Sequence, residues 1–423
     1  MQQISGMAGM GYRKMVDRHV TVAGSGVAGL SAAVQLAGFG IEVLVVEQSP
    51  FAGGHAVGYA CKATDACVKC GACMVETLLA KARQHPRIHL KTDSRLENIN
   101  AGDRLTIGIA VSPQFVDPGK CDSCGLCFDK CPAGAVIQGS SSHHVPFYAL
   151  KAEACMRPSS GETCSVCRDA CPQNAIALDA KKTEEKIETD ALVFATGFNA
   201  YDPRQKPYGY GLFENVITNL DLEREMRKTG RALCPSDGRE PSRVAFIQCV
   251  GSRDASLNHL WCSQVCCGSA LRLGRLIKAR QPATDITVFY IDIQRFGKDF
   301  ETFYRTIHDE IEFVRSIPGD VFENEDRTLT LGYMDDAGNT PKEAAFDLLV
   351  LSVGLLPNPD AAGMAAGLGM TVDSGGFVNP PGLDRSPPAP GVFAAGTATG
   401  PMSIPDAIAS GGQAAAAVLS YLK

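Results

Sequence analysis

The sequence has no excess of basic residues, because 40 Lys and Arg side chains stand against 46 Asp and Glu, a formal net charge of −6. A nucleic-acid-binding surface needs positive charge to neutralise phosphates, so the composition gives no support to that class of function. Hydrophobic residues make up 45% and charged residues 20% of the chain, which is ordinary for a globular protein. A length of 423 residues favours two or three domains.

The chain also lacks an uninterrupted apolar run of membrane-spanning length. Its longest apolar stretch, residues 20–46, contains five glycines and Glu42 and divides into a strand, a glycine turn, a helix and a second strand. This pattern is typical of a buried nucleotide-binding unit rather than of a signal peptide or a membrane helix. We therefore expect any membrane association to come through a partner. Residues 1–18 are interpreted as a leader.

Cysteine is almost absent outside four short groups. Sixteen of the 17 cysteines fall into groups of four, and Cys234 stands alone. Thiols bunched in this way favour metal clusters in a reducing compartment over the disulfides of a secreted chain.

Two of the groups lie in residues 115–181 and have spacings C-x2-C-x2-C-x3-C and C-x8-C-x2-C-x3-C, each followed by proline. Runs of this kind hold [4Fe–4S] clusters, and the fourth cysteine of each run ligates the other cluster. A zinc site is the alternative, but zinc usually takes two separated pairs of ligands. The predicted ligand sets are Cys121, Cys124, Cys127 and Cys171 for one cluster, and Cys155, Cys164, Cys167 and Cys131 for the other.

A dinucleotide-binding fingerprint lies near the start of the chain. A strand at 19–23 is followed by G-x-G-x-x-G, an apolar helix and a second strand that ends at Glu47. The glycines allow a tight turn, close approach of a pyrophosphate and close helix packing, while the acid binds ribose hydroxyls. Later segments join this site: a glycine–histidine pair, a strand ending in Ala-Thr-Gly, a late Gly-Thr and the start of the last helix. The expected cofactor contacts are Gly24, Ser25, Gly26, Ala28, Gly29, Glu47, Gln48, Gly54, His55, Ala195, Thr196, Gly197, Gly396, Thr397 and Ile404.

The third cysteine group follows the second strand and has spacing C-x5-C-x2-C-x2-C. It could close a further cluster, or it could be a redox or structural C-x-x-C pair with bystander thiols. Its members are Cys61, Cys67, Cys70 and Cys73.

The fourth group lies in a second βα unit that begins near residue 242, where a second dinucleotide fingerprint would be expected in an NAD(P)H-dependent enzyme. After Gly251 the further glycines are missing. The spacing of the thiols, C-x12-C-x3-C-C, is compatible with a cluster, with core thiols or with a vicinal redox pair. These thiols belong to Cys249, Cys262, Cys266 and Cys267.

The order of these motifs resembles that of two-dinucleotide-domain flavoproteins, of which thioredoxin reductases are the simplest. The late Gly396-Thr397 departs from the usual Gly-Asp. The stretches Phe246–Arg253, Trp261–Cys267 and Asp292–Gly297 resemble the signature of heterodisulfide reductase A subunits. That resemblance implies FAD at the first fingerprint and a cluster beside the flavin at the fourth cysteine group.

The fold class predicted from these observations is α/β: a two-dinucleotide-binding-domain, thioredoxin-reductase-like flavoprotein with an inserted ferredoxin-like α+β domain. The leader is expected at 1–18 and the insert at 115–181. The FAD-binding domain with its connector is expected in three parts, at 19–114, 182–241 and 346–423. A second Rossmann-like domain without an NAD(P) fingerprint is expected at 242–345.

Within the family, the segment Tyr59–Cys73 is similar to the A subunit of the quinone-interacting membrane-bound oxidoreductase of sulfate reducers. This resemblance implies an electron-transfer subunit that links the menaquinone pool to adenylylsulfate reductase. It also implies a cytoplasmic location, peripheral to the inner membrane. The implied partners are a quinone-reactive membrane subunit and a second flavin/iron–sulfur subunit. The alternatives are an A subunit of a sulfur-oxidation or flavin-bifurcating complex and, disfavoured, a stand-alone NAD(P)H-dependent reductase. No catalytic side chain is expected.

Overall fold

The computed structural model describes residues 17–157, 163–335, 340–379 and 390–423. Of the leader expected at 1–18, only Asp17 and Arg18 fall within these ranges. The helices are α1 (Val27–Gly38), α2 (Met74–Gln84), α3 (Leu126–Lys130), α4 (Val166–Asp169), α5 (Asn219–Thr229), α6 (Cys266–Arg280), α7 (Phe300–Ile307), α8 (Pro359–Gly367) and α9 (Ile404–Tyr421).

The strands form several sheets. They are β1 (His19–Ala23), β2 (Glu42–Val46), β3 (Ile88–Lys91), β4 (Ser94–Asn100), β5 (Leu105–Val111), β6 (Val136–Gln138), β7 (Tyr148–Leu150), β8 (Thr183–Thr189), β9 (Ala191–Phe194), β10 (Asn199–Ala200), β11 (Val216–Thr218), β12 (Arg243–Val250), β13 (Asp285–Phe289), β14 (Glu312–Val314), β15 (Val321–Glu323), β16 (Leu329–Met334), β17 (Pro341–Phe346), β18 (Leu348–Val353), β19 (Leu355–Leu356) and β20 (Val392–Ala394).

The first dinucleotide-binding unit is built on a parallel sheet with strand order β20-β9-β1-β2-β3 among the described residues. All neighbouring pairs in it are parallel. Its central strands are continuous apolar runs, and β9 is buried along its whole length, as expected for a sheet covered on both faces. The carboxyl ends of β1, β2, β9 and β20 therefore lie at one edge of the sheet.

The second unit is also a parallel sheet, with order β11-β18-β12-β13-β14 in the described part of the chain. Two of its strands correct the expected boundaries. The strand at Val216–Thr218 pairs with β18, although 182–241 is the range expected for the FAD-binding domain and its connector. The strand at Leu348–Val353 pairs with β12 rather than with the first sheet. Buried apolar strands look alike in sequence, so their composition does not tell to which sheet they belong.

The insert leaves and returns at neighbouring positions of an antiparallel sheet. Strand β5 pairs with β8 from Leu105↔Thr189 to Val111↔Thr183, so the residues between Val111 and Thr183 project from one edge. Within the insert, α3 and α4 contact one another. Two of the predicted ligands, Cys127 and Cys167, are buried in its small core.

The last helix, α9, packs against α1 and brings its own first turn to the carboxyl edge of the first sheet. The approach is close, because a Cβ on Gly411 would lie 2.2 Å from the Ala28 main-chain oxygen. The Ser31 hydroxyl donates to the Ile408 main-chain oxygen at 2.9 Å. Among the described residues, no helix is both long enough and apolar enough to cross a bilayer.

Candidate dinucleotide and iron–sulfur sites

A cavity of about 820 Å³ lies at the carboxyl edge of the first sheet and reaches the second unit. Its volume falls in the ordinary range for ligand pockets, ~300–1,000 Å³. Most of the expected cofactor contacts line it, namely Gly24, Gly26, Ala28, Glu47, Gln48, Gly54, His55, Ala195, Thr196, Gly197, Thr397 and Ile404. The same edge position explains this convergence, since most of these residues directly follow parallel strands.

The other three expected contacts, Ser25, Gly29 and Gly396, do not line the cavity and instead support its wall. The main-chain N–H and the hydroxyl of Ser25 donate to Glu47 Oε2 at 2.9 and 2.6 Å. A Cβ on Gly29 would lie 2.0 Å from the Gly24 main-chain oxygen, and one on Gly396 would lie 2.5 Å from the Ala28 Cβ. Glycine at these positions therefore permits the packing that shapes the site.

Glu47 is held by donors on both sides. In addition to Ser25, the main-chain N–H and the hydroxyl of Ser49 donate to its Oε1 at 2.9 and 3.0 Å. The carboxylate is 8% exposed and lines the cavity. Each carboxylate oxygen has lone pairs beyond these bonds, so the side chain can still accept hydrogen bonds from ribose hydroxyls.

Two helices have their N-termini at the cavity. Helix α1 starts after Gly26 without a side-chain cap, and Gly26 and Ala28 line the cavity. Helix α9 starts at Ile404, where the Ser403 hydroxyl accepts from the Asp406 N–H at 3.3 Å. Free N–H groups and the helix dipole favour anions at such positions.

The buried hydroxyl of Thr196 has no hydrogen-bond partner among the described residues. It lines the cavity, and a buried hydroxyl without a partner is costly. The polar edge of a bound dinucleotide could satisfy it. Beside it, His55 stacks on Phe198 with ring centroids 4.5 Å apart, and burial lowers the pKa of His55, while the Phe198 carbonyl opposes that shift.

The cavity also has a charged wall that the sequence did not predict. Lys62 and Glu223 line it, and their Nζ and Oε1 atoms lie 2.5 Å apart. Burial and the charge of Glu223 raise the pKa of the neighbouring Tyr59. The pair joins residues far apart in the sequence and has no motif, so no local signal could have revealed it.

Helix α6 and the turn before it form the wall on the side of the second unit. The lining residues here are Gln264, Val265, Gly268, Ser269 and Arg272. Burial lowers the pKa of Arg272, whose guanidinium lies over the ring of Phe300 at 5.4 Å. This wall contains the segment that carries the fourth cysteine group.

In the insert, the structure brings together the thiols of each predicted ligand set. Burial and the thiols of Cys121, Cys171 and Cys124 raise the pKa of Cys127 to about 11. Burial also raises the pKa of Cys167, whose other thiol neighbours are Cys131, Cys155 and Cys164. The fourth cysteine of each run is therefore near the opposite set.

The two runs have the same local hydrogen bonding, which matches the repeat seen in their sequences. The Ala135 N–H donates to the Cys131 sulfur and the Ala175 N–H donates to the Cys171 sulfur, both at 3.3 Å. An N–H that already points at a sulfur fits a thiolate ligand, because it stabilises the negative charge.

The fourth group is gathered at the start of α6. Cys266 and Cys267 are the first residues of that helix. The thiol of Cys266 lowers the pKa of both Cys249 and Cys267, so these three thiols lie close together. Cys262 is close to Cys249 and Cys267. The backbone turns just before this helix, where Gln264 has φ +60°.

The third group lies in an exposed loop. Cys61, Cys67 and Cys73 are exposed, whereas Cys70 lines the cavity. Two ion pairs join this loop to the second unit, Lys69–Asp299 at 2.5 Å and Asp65–Arg275 at 3.0 Å, and thus hold the loop across the cavity.

Among the described residues, no group of three or more His, Cys, Asp and Glu side chains is close enough to hold a single metal ion. A [4Fe–4S] cluster needs a more widely spaced set of ligands than a single metal ion. Each of its four thiolates binds a separate iron, so they stand farther apart than the ligands of one ion.

Comparison with known proteins relates these sites to two families. Residues 22–77 match the family described as "NAD(P)-binding Rossmann-like domain", and residues 115–137 match the family described as "4Fe-4S binding domain". Among solved structures, thioredoxin reductases from T. acidophilum and Lactococcus lactis share the fold, with TM-scores of 0.55 and 0.54 at 13% and 16% identity. In both cases the match covers 96% of this chain and 99% of the other. The predicted fold class, a two-domain flavoprotein fold with an iron–sulfur insert, is confirmed.

Curated relatives are similar along almost the whole chain. The A subunit of the H(2):CoB-CoM heterodisulfide,ferredoxin reductase of Methanothermobacter marburgensis is 35% identical over 427 residues, which cover 96% of this chain and 64% of the relative. The iron–sulfur A subunit of the CoB--CoM heterodisulfide reductase of Methanocaldococcus jannaschii is 33% identical, covering 95% and 64%. The A subunit of the ferredoxin:CoB-CoM heterodisulfide reductase of Methanosarcina mazei is 34% identical, covering 96% and 53%.

The chain thus spans between about half and two thirds of the length of these relatives. Across that span the similarity includes the dinucleotide fingerprint, the 4Fe-4S insert and the second unit. Over the aligned residues, the chain is similar to the A subunits of heterodisulfide reductases.

Proposed function

We propose that this protein is an FAD- and [4Fe–4S]-containing electron-transfer subunit of a multi-subunit oxidoreductase. The observation that carries the proposal is the wall shared by the cavity and the fourth cysteine group. Val265 and Gly268 line the cavity, and Cys266 and Cys267 lie between them in the sequence. A redox centre bound by these thiols would lie directly behind the wall of the cofactor site.

The residues of the cavity fit FAD. Glu47 is positioned to bind ribose hydroxyls, the N-termini of α1 and α9 are positioned to bind phosphate and the polar edge of the ring, and Thr196 supplies a hydroxyl in need of a partner. FAD, when bound, supplies a centre that exchanges two electrons, and the protein contributes orientation and electrostatics. The same residues shield the site from water.

The insert is proposed to hold two [4Fe–4S] clusters, with the crossed ligand sets given above, and the fourth group to hold a third. The third cysteine group is a candidate for one more, because its loop reaches from the protein surface to the cavity through Cys70. Together these groups would provide a series of one-electron centres from the cavity to the surface. Such a series would allow electrons to pass to partner subunits.

The finer proposal is that the complex links the menaquinone pool to adenylylsulfate reductase in sulfate respiration, on the cytoplasmic side of the inner membrane. The resemblance of Tyr59–Cys73 supports it. Its partners would include a quinone-reactive membrane subunit and a second flavin/iron–sulfur subunit. A second candidate, an A subunit of a sulfur-oxidation or flavin-bifurcating complex, is favoured by relatives whose names include both a heterodisulfide and ferredoxin.

Anaerobic purification with flavin, iron and sulfide measured per chain tests the first part. We expect one flavin, with about sixteen irons if all four groups hold clusters and about twelve if the third group does not. About eight irons would confine the clusters to the insert. A colourless protein that contains zinc instead of iron would contradict the proposal.

Reductant choice separates the competing functions. In the purified native complex, bleaching of the flavin by a menaquinol analogue supports the link to the quinone pool. Bleaching by reduced ferredoxin without a response to the menaquinol analogue supports the second candidate. Rapid bleaching by NADH or NADPH would favour the stand-alone reductase, which the missing glycines after Gly251 argue against.

A further inference from the structure

The turn after strand β12 places an arginine beside the fourth cysteine group. Cys249, Gly251 and Arg253 all have positive φ, at 61°, 82° and 54°, a conformation that is uncommon for residues other than glycine. The Arg253 N–H donates to the Trp261 main-chain oxygen at 3.0 Å. The turn is therefore tied to the segment that leads into Cys262.

The Arg253 guanidinium is fixed by a carboxylate from the neighbouring strand end. Its Nη1 and Nη2 atoms donate to Asp292 Oδ1 and Oδ2 at 2.5 and 3.0 Å. Gln294 Nε2 also donates to Asp292 Oδ1, at 2.8 Å, and Gln294 lines the cavity. Two parallel hydrogen bonds of this kind set both the position and the plane of an arginine.

The same guanidinium lies close to two of the thiols. Cys249 and Cys262 are both within its electrostatic range, and Cys249 lies in the same turn, where the Ser252 N–H donates to the Cys249 main-chain oxygen at 3.2 Å. On the other side, the Cys267 sulfur lies 3.8 Å from the Asp292 main-chain oxygen. The arginine, its carboxylate partner and three of the thiols therefore form one local group.

Charge near cluster sulfurs is a main determinant of cluster potential, together with hydrogen bonds to those sulfurs and solvent exposure. A positive charge near Cys249 favours the reduced, more negative cluster. The carboxylate of Asp292 opposes that effect while it holds the arginine in place. Removal of either partner should thus change the potential, but in opposite directions.

We propose that Asp292 positions Arg253, and that the charge of Arg253 sets the reduction potential of the cluster bound by Cys249, Cys262, Cys266 and Cys267. This inference rests on the proposed function, because it needs a cluster at these thiols. It assigns to the pair a role in how readily electrons leave the cavity toward the insert.

The test is an EPR-monitored redox titration of the holoprotein purified anaerobically, with the signal assigned by its loss in Cys262→Ser. We expect Arg253→Gln to lower the midpoint potential and Asp292→Asn to raise it. Each change should alter the reduced-to-oxidised ratio at a fixed potential at least tenfold, ~59 mV for a one-electron couple. Arg253→Lys, which keeps the charge but loses the two-pronged geometry, should give a smaller decrease.

Arg239→Gln is the matched control, since Arg239 makes a similar ion pair with Asp347 at 2.7 Å in the same unit. Asp347 accepts from the Arg243 N–H, at the opposite end of β12 from Cys249. This control variant should leave the potential unchanged. Shifts of the same sign in Arg253→Gln and Asp292→Asn, no shift, or loss of the cluster in both variants would overturn the inference. If Cys262→Ser removes no signal and no iron, the failure lies in the proposed cluster itself.

Discussion

The ion pair between Lys62 and Glu223 allows the packing around the cavity to be measured with a double-mutant cycle. The two side chains are 4% and 3% exposed, and their Nζ and Oε1 atoms lie 2.5 Å apart. Glu223 also accepts from the Ala60 N–H at 3.0 Å and from the Ser269 hydroxyl at 3.4 Å. Lys62 also donates to the Ala60 main-chain oxygen at 3.1 Å. These other partners are uncharged, so each of the two buried charges has the other as its counter-ion.

Lys62→Met leaves a buried carboxylate without its counter-ion, and Glu223→Gln leaves a buried ammonium in the same state. Breaking a buried pair in this way costs about 3–5 kcal/mol, whereas removing both charges is often close to neutral. The double variant should therefore be less destabilised than either single variant, with a coupling energy of roughly 2 kcal/mol or more. For cooperative unfolding of a chain of 423 residues, each single change corresponds to a Tm decrease of about 3–5 °C.

Thermal unfolding of the holoprotein, followed by circular dichroism and by release of flavin fluorescence, measures both effects. Arg231→Gln is the control, because Arg231 and Glu240 pair at 2.8 Å with both side chains 45% exposed, and such pairs contribute only about 0–1 kcal/mol. If the double variant is destabilised by as much as the two single variants together, the two charges do not depend on each other and the reasoning fails.

Three further changes test the cavity, the insert and a partly buried carboxyl. Gly24→Ala should abolish flavin binding, seen in the absorbance of the purified protein, since Gly24 has φ +101° and its Cβ would lie 2.3 Å from the Ala195 oxygen. Cys171→Ser should remove about four irons and one EPR signal; unchanged iron content would contradict the crossed ligation. Burial and the charge of Glu47 raise the pKa of Asp93 to about 6, so the folded state favours the protonated form and loses stability as pH rises from about 4 through 6. Asp93→Asn should therefore raise the free energy of unfolding at pH 7 by about 1–3 kcal/mol, measured by urea denaturation, and leave it unchanged at pH 4. An equal gain at both pH values would refute this reasoning.

The cofactor edge could be predicted from sequence because its determinants are local. Gly24, Glu47 and Thr196 each stand just after an apolar run that reads as a strand. Since strands of this kind are parallel, the residues after their carboxyl ends must meet at one edge. The crossed grouping of cysteines in the insert was expected because two runs of this kind occur together, and the fourth cysteine of each run then ligates the cluster of the other.

The opposite wall of the cavity could not be predicted in this way. Lys62 and Glu223 are brought together by packing between distant segments, and a lone lysine or glutamate usually lies on a solvated surface. The strand at Leu348–Val353 shows the same limit for the fold. Its continuous apolar sequence identified a buried strand, but only tertiary pairing decides which sheet it joins.

The proposed electron transfer between the insert and the cavity requires that the two do not move apart, and the structure contains contacts that hold them together. Arg227, on α5, donates to the Ser140 main-chain oxygen in the insert at 2.8 Å and to the Tyr59 main-chain oxygen beside the cavity at 3.2 Å. His144 of the insert hydrogen-bonds the Ala52 oxygen at 2.7 Å, next to the glycine loop that lines the cavity. These contacts join the insert to main-chain atoms of the cofactor loop, so the separation between its thiols and the cavity is fixed by the fold rather than by a flexible linker.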